Sequence, residues 1–195
     1  LHEIKTRENF EKELDEFRSM VGDNVKGFRA PTFSLDSTTS WAIDALKKFE
    51  YSYDSSIVPV KTKMYGLHEA EKYPYKISSD SLEKMDLESN LWEFPLMSTK
   101  ILGKKIPAGG GFYLRILPLK IIERAIQQYN KNDKPAIFYI HSWELTPEHM
   151  PRLNLPTKEK FVTYHNIDKS LEKMDKLIKK FEFTSFERFI PNMNK

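Results

Sequence analysis

Six residues have types and positions suited to chemistry: Arg29, Pro31, Phe33, Asp54, His141 and Trp143. Arg29, Pro31 and Phe33 share "GFRAPTFSLD", a loop expected between a strand and a helix, and Asp54 ends the next expected strand, "YSYD". His141 ends a third, "PAIFYIH", and Trp143 follows in "SWEL". In parallel α/β folds, chemistry usually sits at the carboxyl ends of the strands. Arg29 could orient a carboxylate through its fork of donors, in a loop that Pro31 stiffens, or it could close a surface ion pair. Asp54, followed by Ser55 and Ser56, could accept hydrogen bonds from a ligand or cap its own turn. His141 suits acid–base work near neutrality, or could cap the strand end by bonding to backbone. Spacing alone leaves both readings open. Trp143 could line a sugar-sized pocket, whereas Trp41 and Trp92 read as core.

Other candidates carry less. "PAGGGFYLR" lacks the spacing and the lysine of a phosphate-binding loop, so it reads as a turn that lets backbone pass close to a site. His2, His68, His149 and His165 have no partner at metal-ligand spacing, and no HxxxH or HExxH occurs. The absence of cysteine excludes a disulfide framework and a thiolate zinc site.

The elements that must position these residues follow from periodicity. Thr6 caps a helix with Phe10, Leu14, Phe17 and Val21 on one face, ending near Gly22. "VKGFRA" is a strand. A helix from Ser37 or Thr38 buries Trp41, Ala45, Leu46 and Phe49, and "YSYD" is the next strand. Pro59, Gly66 and Pro74 mark residues 55–76 as a long loop. "LWEFPLM" reads as strand and "KKIPAGGGFYLRILP" as a turn between extended pieces. Pro118 opens a helix carrying Ile121, Ile122, Ala125, Ile126 and Tyr129. "PAIFYIH" is the clearest strand, of buried parallel type. Residues 145–165 read as irregular. A last helix uses Ile167, Leu171, Met174, Leu177, Ile178 and Phe181, and "FEFTSFERFI" closes as a short strand and a helical turn.

This alternation predicts an α/β fold with right-handed βα units and a largely parallel sheet. The chain has 195 residues, enough for one domain, but only about half the units of a closed eight-unit barrel. It opens on a helix with no strand before it, so the front of the domain is expected to be missing. Hydrophobic residues make up 39% and charged residues 30%, with a net charge of +3. Lysines interleave with acidic residues, which predicts a solvated surface and no nucleic-acid partner. No apolar run reaches the length of a membrane span.

Taken together, "GFRAPTFSLDSTTSWAIDALKKFEYSYDSSIVPV", "EFPLMST", "IPAGGGFYLRILP" and "PAIFYIHSWEL" resemble the polysaccharide deacetylases. This carbohydrate esterase family has a distorted (β/α) barrel, and the match is nearest to its bacterial exopolysaccharide-associated branch. The resemblance implies a carbohydrate partner and hydrolysis of an N-acetyl group. In the family, a divalent metal such as zinc, held by one Asp and two His, activates water beside an aspartate base. Arg29 of "RAPTF" would fix that base, and His141 of "FYIHSWEL" would protonate the leaving amine. Asp54 and Trp143 would shape the substrate pocket, with Pro31 and Phe33 beside Arg29. The family's aspartate pair and histidine motif have no counterpart here, and Leu1 falls just beyond them in register.

Residues 1–195 are therefore expected to be the C-terminal part of one deacetylase domain, supplying no metal ligand and inactive alone. A small-amide hydrolase and a non-catalytic carbohydrate-binding remnant are the competing readings. A cytoplasmic location is expected, and the oligomeric state is left open.

Overall fold

In the computed structural model, which describes residues 1–62 and 65–193, Thr6 starts the first helix as the spacing predicts. Its backbone is extended and its hydroxyl accepts the Asn9 N–H at 3.3 Å, capping α1 (Arg7–Val21), which stops at Gly22. Phe10 and Leu14 are buried, but Phe17 and Val21 are exposed, because α1 outruns the core that its first half covers.

The chain divides into two compact units: residues 1–110 with 124–139, and residues 111–123 with 140–195. The first holds a four-stranded sheet in the order β1 (Gly27–Phe28), β2 (Tyr53–Asp54), β4 (Trp92–Glu93), β3 (Tyr75–Lys76). β1, β2 and β4 run parallel and β3 is antiparallel to β4, with Phe28, Asp54 and Glu93 in register across the three parallel strands. The core of this unit gathers Phe10 and Leu14 with Ala42, Ile43, Ala45 and Leu46 of α2 (Trp41–Lys48), and with Tyr75, Ile77 and Leu91 around the sheet. Trp41 and Phe49, expected on the buried face of α2, only pack against the edge of that core.

Three expectations change in this unit. Residues 55–60, expected to start a surface loop, are buried, with Ile57, Val58 and Val60 turned inward. The glycine-bearing turn is preceded by a hairpin, β5 (Ser98–Ile101) with β6 (Lys104–Pro107). Its two turn residues, Leu102 and Gly103, both have positive φ, the geometry that matches hairpin twist. "PAIFYIH" forms no regular strand. Only its middle is paired, where the Met97 N–H donates to Ile137 O at 3.0 Å and Tyr139 forms a parallel bridge to Gly110. An apolar run that signals burial thus forms isolated bonds to an irregular neighbour, whose glycines offer no continuous ladder. Gly109 sits so close that a Cβ there would lie 2.3 Å from Ile137 O.

Among its described residues the second unit has no strand. It contains α3 (Gly111–Ile116), α5 (Thr157–Tyr164), α6 (Ser170–Lys180) and α7 (Phe186–Met193), and the division between units falls within α4 (Leu119–Asn130). α3 follows the glycines at once, α5 lies in the segment expected to be irregular, and α7 extends the expected helical turn, while the short strand expected before it does not form. In α6, Leu177 is buried while Leu171 and Ile178 are exposed, so the apolar face is wider than its cover. Lys173 instead reaches across to the carbonyls of Leu114, Arg115 and Leu117 at 2.8, 3.1 and 2.9 Å, and so caps α3 with a cation. Among the described residues, no helix is long and apolar enough to cross a membrane.

Candidate functional site

Arg29 leaves the carboxyl end of β1 and is fixed by the residue after β2. Its Nε donates to Ser55 O at 2.8 Å and its Nη2 to Ser55 Oγ at 2.6 Å, while Ser55 Oγ donates onward to Phe94 O. The guanidinium lies over the Tyr139 ring at 4.6 Å and faces Phe33 at 6.0 Å, both cation–π contacts. Phe33 packs against Tyr65 and edge-on to Tyr139, which completes an aromatic collar. Thr32 and Phe33 have φ of 56° and 54°, left-handed values that cost these residues energy and that the surrounding structure must enforce. Pro31 fixes the start of that turn and is exposed. Burial pulls the Arg29 pKa down, and the charges of Glu93 and Asp54 oppose that shift. Nη1 has no hydrogen bond among the described residues, which leaves one face of the fork for a further acceptor.

Beneath the arginine is a carboxyl pair that sequence reasoning did not single out. Asp54 and Glu93 are register partners on β2 and β4, and both are fully buried. Asp54 Oδ1 accepts from Ser56 Oγ at 2.6 Å, and that hydroxyl in turn accepts the Ala30 N–H at 2.8 Å. Glu93 Oε1 accepts the Ile57 N–H at 3.0 Å. No donor among the described residues reaches Asp54 Oδ2. A proton on either carboxyl would spare the fold two adjacent buried charges. Burial pushes Asp54 up to about 6, and burial with the Asp54 charge drives Glu93 well above the ordinary glutamate range.

Asp54, expected in the substrate pocket, is fully buried. It is sealed in by Ser56 and Glu93 and acts from below, holding the segment that grips Arg29. Glu93 was concealed because a lone glutamate in "LWEFPLM" looks like the outward residue of an alternating strand. A partner 39 residues away is not visible in local pattern.

His141 and Trp143 belong to the second unit. The imidazole is half-exposed and stacks on the indole, with centroids 5.2 Å apart and planes 24° off parallel. Its Nδ1 lies 3.3 Å from Glu144 Oε2, which also accepts the His141 backbone N–H at 3.1 Å. Glu144 is buried and paired with buried Arg115, Nε to Oε1 at 3.1 Å. Arg115 spends its remaining donors on the last carbonyls around α5: Val162 at 2.8 Å, Thr163 at 3.2 Å and His165 at 3.0 Å. Gly111 permits this arrangement, since a Cβ there would lie 2.0 Å from Glu144 Oε2. Arg115 and Glu144 were not selected from sequence, because a buried ion pair across 29 residues leaves no periodic trace.

The other histidines are dispersed. His2 bonds Asp36 at 2.9 Å, His68 bonds Glu69, His149 lies by Glu148, and His165 stacks on Phe161. Among the described residues, no three His, Cys, Asp or Glu side chains converge as a donor set, so these residues do not fit a catalytic zinc, which needs about three.

A family model described as Domain of unknown function (DUF3473) matches residues 55–191, and the chain belongs to that family. The match spans the serines that hold Arg29, Glu93, the glycine turn and the His141 segment. No curated protein and no solved structure matches the chain.

Proposed function

We propose that this chain forms part of a carbohydrate N-deacetylase, on a distorted (β/α) barrel to which β1, β2 and β4 contribute. The substrate is an acetamido sugar in a polysaccharide or a lipid-linked saccharide, and the reaction hydrolyses its amide C–N bond. Two things support this reading: the order of the sequence motifs, and membership in a domain family that occurs in polysaccharide deacetylase-like proteins. One observation carries it. Arg29 stands at the carboxyl ends of parallel strands, braced by Ser55 and faced by Phe33 and Tyr139, with one donor face uncommitted.

In this reading Arg29 holds a carboxylate base in place, as a rigid fork does best. His141 gives its Nε2 proton to the leaving nitrogen as the C–N bond breaks. Phe33 and Trp143 offer aromatic surface to sugar rings. A divalent cation would supply an activated water and polarise the acetyl carbonyl when bound. No set of ligands for it occurs among the described residues.

The test is acetate release from chito-oligosaccharides by the intact protein, with and without divalent metal. His141→Ala is expected to lower turnover roughly 10²–10⁴-fold with the fold retained. Wild-type turnover in that variant leaves His141 as a structural cap. Saccharide binding without acetate release points to the carbohydrate-binding remnant, and release of ammonia or amine from small amides alone points to the small-amide hydrolase.

A further inference from the structure

A buried ion pair is a poor device for stability alone, because desolvating both groups costs about as much as their attraction returns. Glu144 and Arg115 are nonetheless buried to 3% and 2% of side-chain exposure, directly behind a histidine that is 47% exposed. We propose that they are positioning residues for His141. Glu144 Oε2 accepts the Nδ1–H, and Arg115 fixes Glu144, so that the neutral ring is held as the Nδ1–H tautomer with its lone pair on Nε2. This rests on the reading of His141 as the general acid.

The geometry restricts each member of the chain. Oε2 faces two groups of His141, the backbone N–H at 3.1 Å and Nδ1 at 3.3 Å, so it registers the main chain and the ring together. Oε1 is taken by Arg115 Nε, which prevents the carboxylate from rotating away. Arg115 is itself immobilised by the carbonyls of Val162, Thr163 and His165. Trp143 stacked on the imidazole sets the ring plane. Arg115 also balances the charge of Glu144. A histidine ring takes its tautomer from the bond made by its other nitrogen.

The consequence for the reaction is specific. As the Nε2–H bond breaks, its electrons stay on Nε2. The proton joins the electron pair that the departing nitrogen receives from the broken C–N bond. Nδ1–H stays with Glu144, so the spent acid is already the favoured neutral tautomer and no second proton moves.

The test reads the tautomer directly. In the intact protein labelled with ¹⁵N, ring ¹⁵N shifts are recorded above the pH of ring titration, and the His141 signals are assigned by their loss in His141→Ala. Expected in the wild type is a protonated Nδ1 and an unprotonated Nε2. In Glu144→Gln the amide oxygen stays with Arg115 and the NH₂ donates to Nδ1, so the pattern inverts, and turnover falls about 10²-fold with little change in KM. A protonated Nε2 in the neutral wild-type ring overturns the proposal even if the variant does not fold. An unchanged pattern, or unchanged turnover, in a folded Glu144→Gln also overturns it while the general-acid reading stands. Wild-type turnover in His141→Ala removes that reading and the positioning role with it.

Discussion

Each unit buries carboxyl groups beside an arginine, and the two handle the charge in different ways. In the first, Arg29 forms no direct ion pair with Asp54 or Glu93. Ser55 bonds the guanidinium and Ser56 bonds Asp54, and burial pushes both carboxyls toward their neutral forms. In the second, Arg115 bonds Glu144 directly and spends its other donors on three carbonyls. Among the described residues, Arg29 leaves Nη1 without a hydrogen bond, whereas Arg115 donates through Nε and both terminal nitrogens. On the proposed reading, that difference separates an arginine that holds a catalytic group from one that holds only its own fold.

Removing each arginine is the most forceful way to break this comparison. Arg115→Met should destabilise the chain by about 3–5 kcal/mol, because Glu144 loses its buried ion-pair partner. Arg29→Met should cost about 1–2 kcal/mol, the scale of the Ser55 bonds, and act mainly on turnover. Urea unfolding of both variants decides, and equal losses erase the distinction.

A smaller effect separates two glycines. Gly109→Ala would push a Cβ against Ile137 O, and Gly111→Ala would push one against the Glu144 carboxylate. Each should cost about 1–3 kcal/mol by thermal or urea unfolding. Only Gly111→Ala should also shift the His141 ring signals, since only it displaces Glu144.

The smallest effect is a slope. Asp54 and Glu93 titrate higher in the folded chain than in the unfolded one, so above about pH 4 the folded state binds more protons. Stability should then decline as pH rises, from Asp54 between about pH 4 and 6, and from Glu93 above the ordinary glutamate range. One proton contributes at most about 1.4 kcal/mol per pH unit. Asp54→Asn should flatten that decline in unfolding series at pH 4, 5, 6 and 7. An undiminished slope would mean that Asp54 takes up no proton in that range.

How much of this was legible in the sequence differs between the units. β1, β2 and β4 fall where short apolar runs and their polar ends indicated, and Arg29 stands at a strand end as its loop required. The periodic helices were visible because each lays apolar residues on a core. α5 was not, because Pro151 and Pro156 come just before it and it buries none of its residues. "PAIFYIH" misled for the opposite reason: its apolar composition suggested a buried strand, whereas only Ile137 is buried and pairing depends on a neighbour that the run cannot specify. Glu93, Glu144 and Arg115 were missed together, since each matters through a partner distant in sequence. The motif resemblance drew notice to His141 but not to the glutamate three residues later that bonds its ring.

The grip of Arg115 on the end of α5 bears on how that helix opens. An eight-residue helix with no buried side chain should fray independently on the surface. Here, unwinding its last turn would strip three acceptors from a buried guanidinium, so the helix cannot come undone cheaply. Its amides should exchange with solvent as slowly as those around Glu144 and in step with them. The two segments then form a single cooperative patch, tied across the loop by one side chain.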